Sequence, residues 1–195
     1  VGVPDSELSR IALVSRLRNQ YGDQYARALF AAMIDPQSLA GKAFGNPVSM
    51  MTSTNTRDWQ QADILSANGT GNARSLARFW QVMAHDGALG ELKLLDAQLV
   101  QQMRCEHSVG MDRTLLAPTR FGLGVMLDQA WEGGGFGMGA NAWGHPGAGG
   151  ALGFCDPDRR LGFGYVTNTM GPYVLMDPRA LALSREVERC LQAID

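Results

Sequence analysis

The sequence predicts an α+β fold, an antiparallel sheet with flanking helices, and three observations carry that reading. Fifteen of the 24 glycines lie between Gly122 and Gly171, so the chain changes character near residue 120, from helix and loop to glycine-rich strand and turn. Before that change, Ala73, Leu76, Ala77, Trp80, Met83 and Ala84 form an apolar stripe at helical spacing. After it, Asp156-Pro157-Asp158-Arg159-Arg160 joins two short apolar runs, as the turn of a hairpin does.

The elements follow in order. Residues 5–34 are expected to be helical, with Tyr21, Tyr25, Ala28, Leu29, Ala32 and Met33 on one face and Asp35-Pro36 as the stop. Residues 35–69 show no period. Their apolar members, Phe44, Val48, Met50, Met51, Trp59, Ile64 and Leu65, argue for an ordered wrap over a surface. The helix over 70–86 is capped by Thr70 or Asn68 and ended by Gly87 in a left-handed turn. A short helix follows over about 96–104, with Leu99, Val100 and Met103 on its apolar side. Strands are expected over 121–127, about 149–155 and 161–167. Asp177-Pro178 opens a last helix whose stripe is Leu183, Val187, Cys190, Leu191 and Ile194. The whole chain reads as one segment, residues 1–195, with helices and long loops over 1–119 and antiparallel strands plus the C-terminal helix over 120–195.

Composition excludes several function classes. The 195 residues are 45% hydrophobic and 18% charged, with a net charge of −2, so no strong field draws the chain to nucleic acid or an anionic surface. No apolar run approaches the roughly 18 residues of a membrane span. The opening VGVPDSELSR has no signal-peptide pattern and no initiator Met, and is expected to begin inside a larger protein. The compartment stays open between cytoplasm and cell envelope. Cys105, Cys155 and Cys190 are too few and too odd in number for a disulfide framework, and read as small apolar side chains. His85, His107 and His145 lack zinc-ligand spacing, so neither a metal nor another cofactor is expected.

Chemistry concentrates in one stretch. The glycine run over 133–139 has neither phosphate-loop spacing and reads as a flexible loop. Asp156 and Asp158 read as a solvated turn, and Asn68-Gly69-Thr70 as a turn as well. What remains is Trp143-Gly144-His145-Pro146-Gly147-Ala148-Gly149-Gly150, which runs into a strand. Its small residues suit close approach of a substrate, a strand edge offers N–H groups to an oxyanion, and His145 could assist proton transfer. A plain glycine-rich corner before a strand is the competing reading.

That stretch, with Leu152-Gly153-Phe154-Cys155-Asp156-Pro157 and Phe163-Gly164-Tyr165-Val166-Thr167-Asn168, resembles the C-terminal region of class C beta-lactamase-related serine hydrolases. The group includes penicillin-binding proteins of low molecular mass, D-aminopeptidases and family VIII esterases. Ala67-Asn68-Gly69 followed by Ala73-Arg74-Ser75-Leu76-Ala77-Arg78-Phe79 resembles a helix of the same group, and the likeness covers roughly residues 1–170. It implies the C-terminal part of the serine transpeptidase-like fold and an acyl-enzyme reaction on an ester, amide or beta-lactam. His145-Pro146-Gly147 fits the H-x-G form of the third active-site motif. By resemblance, His145 stands where the motif carries Lys, Gly147 is its glycine, and the Ala148 N–H is one oxyanion donor. Pro146 replaces a Thr or Ser hydroxyl that would contact a substrate carboxylate, which argues against efficient beta-lactam turnover.

The other two motifs of the group are missing. The nearest approach to S-x-x-K is Ser75-Leu76-Ala77-Arg78, and arginine cannot serve as a base. No Y-x-N occurs. Both motifs are expected before residue 1, in an N-terminal part that this chain would meet as its partner. The alternative is a non-catalytic binding or structural module on the same fold.

Overall fold

The computed structural model describes residues 2–16, 22–46, 52–131 and 134–194. The single helix expected over 5–34 is several elements. Asp5–Arg10 is a 3-10 turn, Ser15–Arg16 is a short strand (β1), and Gln24–Ile34 is helix α1. Pro4 and the local charges of the first segment leave no apolar stripe there, so only α1 has a face to bury, through Ala26 and Leu29. Tyr21 lies outside the described residues. The aperiodic stretch that follows holds two one-turn to two-turn helices, α2 (Leu39–Phe44) and α3 (Arg57–Gln61), capped by Ser38 and Thr56. Val48, Met50 and Met51 lie outside the described residues.

Helix α4 (Ala73–Ala84) starts later than the sequence suggests. Its cap is Asn72, whose Oδ1 accepts the Ser75 N–H at 2.9 Å. Asn68 is buried instead, and its amide donates to the Trp59 and Ala62 carbonyls, pinning the loop before the helix. At the other end the Gly87 N–H closes on the Val82 carbonyl at 2.9 Å, with Asp86 and Gly87 both at positive φ. A small hairpin, β2 (Ala88–Leu89) with β3 (Leu92–Lys93), leads to α5 (Ala97–Met103), of which Val100 is buried and Leu99 exposed.

A six-stranded antiparallel sheet follows in simple sequence order: β4 (Ser108–Met111), β5 (Pro118–Phe121), β6 (Met126–Leu127), β7 (Trp143–Pro146), β8 (Leu152–Asp156) and β9 (Leu161–Tyr165). It begins ahead of residue 120, where the change to strands is expected. The strand expected over 121–127 is a turn joining β5 to β6: the Gly122 N–H bonds the Val125 carbonyl at 2.9 Å, and Gly124 has φ +71°. The segment expected to run into a strand is itself a strand, β7, paired to β8 with His145 opposite Gly153. β10 (Thr169–Met170) pairs in parallel with β1 outside this sheet. Last comes α6 (Pro178–Gln192), capped by Asp177 with Pro178 in its first turn.

Alternation along the strands sorts two cores. Cys155, Trp143 and Leu127 face α4, meeting Trp80, Val82 and Met83. The Trp80 and Trp143 rings meet edge to face at 5.6 Å. Leu152, Phe154, Met126 and Phe163 face the other way, toward Phe136, Met176, Ala180 and Leu181. Phe154 stacks between Phe136 (5.2 Å) and Phe163 (4.9 Å).

The α4 face of β9 is lined by glycine, and the helix backbone lies directly on it. A Cβ on Gly162 would fall 2.1 Å from the Gln81 nitrogen and 2.4 Å from the Ala77 carbonyl oxygen; one on Gly164 would fall 2.6 Å from Ala73 O and Ala77 N. Both glycines therefore set how close helix and sheet can come.

Helix α6 buries a different face from the one its stripe marks. Ala180, Leu181 and Ser184 are buried, while Leu183 is 50% and Ile194 81% exposed. The stripe borders a groove of about 410 Å³ shared with Phe163 and Tyr165 of β9, and the outer edge of β9 pairs with no strand among the described residues. The glycine run expected to be flexible is anchored by Phe136, which is fully buried; its N–H donates to Asp128 Oδ1 at 2.8 Å, and its carbonyl accepts the Ser184 hydroxyl. Gly133 lies outside the described residues. Asp156 is fully buried rather than solvated: it takes Arg159 Nη1 at 2.8 Å, while Arg159 Nη2 reaches Glu188 at 2.7 Å and ties the hairpin to α6.

Candidate active-site wall

Strand β7 ends in a turn that delivers the three sequence-predicted residues together. Trp143 and Gly144 are buried within the sheet, where β6 pairs with them. That pairing stops at Gly144, so on this side His145 and Pro146 have no strand partner among the described residues, and His145 is exposed. Its Nδ1 lies 2.6 Å from the Pro146 carbonyl oxygen. A carbonyl can only accept, so Nδ1 carries the proton at this contact and Nε2 is the nitrogen left to meet another molecule.

The next four residues make the turn into β8. The Gly147 N–H donates to the Ala151 carbonyl at 2.7 Å, and the Gly150 N–H to the Gly147 carbonyl at 3.0 Å. Gly149, third of the four, has φ +87°, which a type II turn requires there and only glycine adopts without strain. Ala148 is the second residue, whose N–H points away from the turn's own bond. It is exposed, and no acceptor faces its N–H among the described residues. Gly147 thus acts through the turn, its own N–H being taken, while Ala148 presents a free donor beside an exposed imidazole.

Two residues that the sequence marks only as a helix start stand behind this turn. Asp177 is 2% exposed. Arg179 closes a fork on it, Nε to Oδ1 at 2.9 Å and Nη2 to Oδ2 at 2.7 Å. The same guanidinium donates to the Gly149 carbonyl at 3.0 Å and the Thr169 carbonyl at 2.9 Å. The Gly149 carbonyl also takes the Gly171 N–H at 2.7 Å, and the Gly149 N–H reaches the Tyr173 carbonyl at 3.3 Å. An Asp-x-Arg pair at a helix start carries no sign in sequence that its arginine reaches 30 residues back.

Burial raises the Asp177 carboxyl, but its bonds to Arg179 outweigh that and hold it below the ordinary range. A lowered carboxyl stabilises the fold above its unfolded pKa of about 3.9 and loses that contribution as pH falls through the folded value. Asp177→Asn is therefore expected to lower the melting temperature most near neutral pH. The gap to the unmodified chain should close below about pH 4, measured by thermal unfolding across pH 2.5–7.

The Ser75 hydroxyl is bound to the Asn72 cap, and the Ser184 hydroxyl is buried against Phe136. Burial pushes the Cys155 thiol up, out of reach of a thiolate at neutral pH. No cluster of three His, Cys, Asp or Glu side chains stands ready for a metal among these residues, and none of their helices is long and apolar enough to cross a membrane.

The family model for Beta-lactamase matches residues 13–186, and the chain belongs to that family. It is similar to the esterase/beta-lactamase LipL of Mycobacterium tuberculosis, 35% identical over 118 residues that are 60% of this chain and 26% of that protein. Among solved structures, it is similar to a family VIII carboxylesterase (31% identity, TM-score 0.71), covering 97% of this chain and 46% of that one. EstA from Arthrobacter nitroguajacolicus (27%, TM-score 0.79) is covered over 49% of its length by 99% of this chain. A penicillin-binding protein homologue from Caulobacter crescentus (28%, TM-score 0.72) is covered over 47% by 99% of this chain. The chain thus spans about a quarter of the curated relative and about half of each solved one.

Proposed function

We propose that this chain is the C-terminal portion of a serine hydrolase that works through an acyl-enzyme on an ester, amide or beta-lactam. The observation that carries the reading is the free Ala148 N–H, held at a tight turn three residues beyond an exposed His145. A serine oxygen attacks the substrate carbonyl, the carbonyl electrons move onto its oxygen, and Ala148 N–H donates to that oxyanion. The serine proton passes to the base as that bond forms; the oxyanion then collapses to the acyl-enzyme, the bond to the leaving group breaks, and the base returns the proton to it. His145 Nε2 is placed to handle a proton or to bond the substrate. Pro146 offers no hydroxyl for a beta-lactam carboxylate, which favours simple esters.

The nucleophile and base belong, on this reading, to a preceding part of the polypeptide bearing S-x-x-K and Y-x-N. Two features support such a partner: the outer edge of β9, which pairs with no strand among the described residues, and the exposed Leu183 of α6 beside it. The solved relatives are about twice as long as the chain, which leaves length for one.

The test is His145→Ala in the complete protein, read by burst kinetics on p-nitrophenyl acetate and by fluorescent-penicillin labelling. Acylation should fall roughly 10–100-fold, since water partly replaces an exposed imidazole. The melting temperature should stay nearly unchanged, because an exposed side chain contributes little to packing. A complete protein that forms no acyl adduct at all favours the non-catalytic module; an unchanged acylation rate removes His145 from the site.

A further inference from the structure

We infer that Arg179, locked by Asp177, is a positioning residue that fixes the Ala148 N–H for catalysis by holding the Gly149 carbonyl. This rests on the assignment of Ala148 as an oxyanion donor. An oxyanion donor is effective only if it is already in place when charge develops, and a turn of Gly147, Ala148, Gly149 and Gly150 has little stiffness of its own.

Stiffness comes from behind. The peptide that follows Ala148 is held by its Gly149 N–H on the Tyr173 carbonyl, and the next one by the Gly149 carbonyl, both of whose lone pairs are used, by Arg179 Nη2 and by the Gly171 N–H. The guanidinium is itself immobile because three other acceptors hold it: both Asp177 oxygens and the Thr169 carbonyl. The fit leaves no spare room. A Cβ on Gly150 would fall 2.7 Å from Asp177 Oδ2 and 2.8 Å from Arg179 Nη2, and one on Gly171 would fall 2.2 Å from Asp177 Oδ2. The paired glycines after Ala148 are therefore the seat of a planar ion pair as well as a turn. Lysine cannot take its place, because an ammonium lacks the fork that spans carboxylate and carbonyl at once.

Arg179→Lys and Asp177→Asn in the complete hydrolase test this, read by acylation rate, KM, melting temperature and amide exchange at Gly149 and Gly171. For Arg179→Lys the expected result is an acylation rate roughly 10–100-fold lower with KM little changed, as for a donor displaced by about an ångström. Exchange at both amides should quicken, and global unfolding should shift by only a few degrees. Asp177→Asn keeps one acceptor oxygen, so its loss should be smaller and in the same direction. Unchanged exchange at Gly149 and Gly171 in Arg179→Lys overturns the brace. Quickened exchange with an unchanged acylation rate overturns the positioning role, while the oxyanion assignment is decided separately by removing the Ala148 N–H in Ala148→Pro. Should Arg179→Lys fail to fold, Asp177→Asn is decided by the same two readouts, and equal loss of kcat and global stability there marks a purely structural pair.

Discussion

Ala148→Pro is expected to lower the acylation rate of the complete protein by about 100- to 1,000-fold while the protein stays folded. Proline has no N–H, so the substitution deletes the proposed oxyanion donor and nothing else polar. The position tolerates it: the second residue of a β-turn is where proline's fixed φ is favoured. The bonds that close the turn use the nitrogens of Gly147 and Gly150, and these remain. Single-turnover kinetics with an aryl ester, beside a thermal melt, make the measurement. An unchanged rate in a folded variant would sink the donor assignment. Ala148→Gly, which keeps the N–H, is the control.

The largest expected effect on stability is at Gly162. Gly162→Val would drive its side chain into the Gln81 nitrogen and the Ala77 carbonyl of α4. Helix backbone cannot swing aside, so α4 must lift off β9, taking Trp80 from its contact with Trp143. The cost should be about 3 kcal/mol or more. At this chain length that lowers the melting temperature by roughly 6–12 °C. Gly69→Ala has nothing within 4 Å of the new Cβ and should stay within about 0.5 kcal/mol of the unmodified chain. Equal melting temperatures for the two variants would mean that helix and strand are not in direct backbone contact.

Legibility in the sequence follows from how local each determinant is. The hairpin of β8 and β9, α4, and the start of α6 were readable because turn chemistry and helical period are written in adjacent residues. β7 was not, since Trp-Gly-His-Pro has little strand character and becomes a strand only between β6 and β8. The run from Phe121 to Leu127 looked continuous, but Gly122 and Gly124 bend it into a turn. The stripe of Leu183, Val187, Cys190, Leu191 and Ile194 is real as a pattern, yet only Val187 and Leu191 are even half-buried, and the other three are exposed. Periodicity says which face is apolar and not what lies against it. His145, Gly147 and Ala148 are singled out by motif resemblance, and they lie at one strand-to-turn corner. Asp177 and Arg179 are not, because their reach to Gly149 exists only after β8, β9 and the returning chain have folded. The burial of Asp156 is hidden from the sequence for the same reason: Arg159, which bonds it, is held in turn by Glu188 of a distant helix.

The outer edge of β9, unpaired among the described residues, matters for the chain when it is produced by itself. A sheet edge with unsatisfied donors and acceptors, beside an uncovered apolar helix face, is a template for a second copy. Two such edges can join strand to strand, and the new surface stays open to further addition unless the pairing closes on itself. The isolated polypeptide would then be sticky for reasons unrelated to misfolding. Its apparent stability would rise with protein concentration, since association favours the folded form. Charged or proline substitutions on the outward strand would restore a monodisperse solution without touching the corner that carries His145.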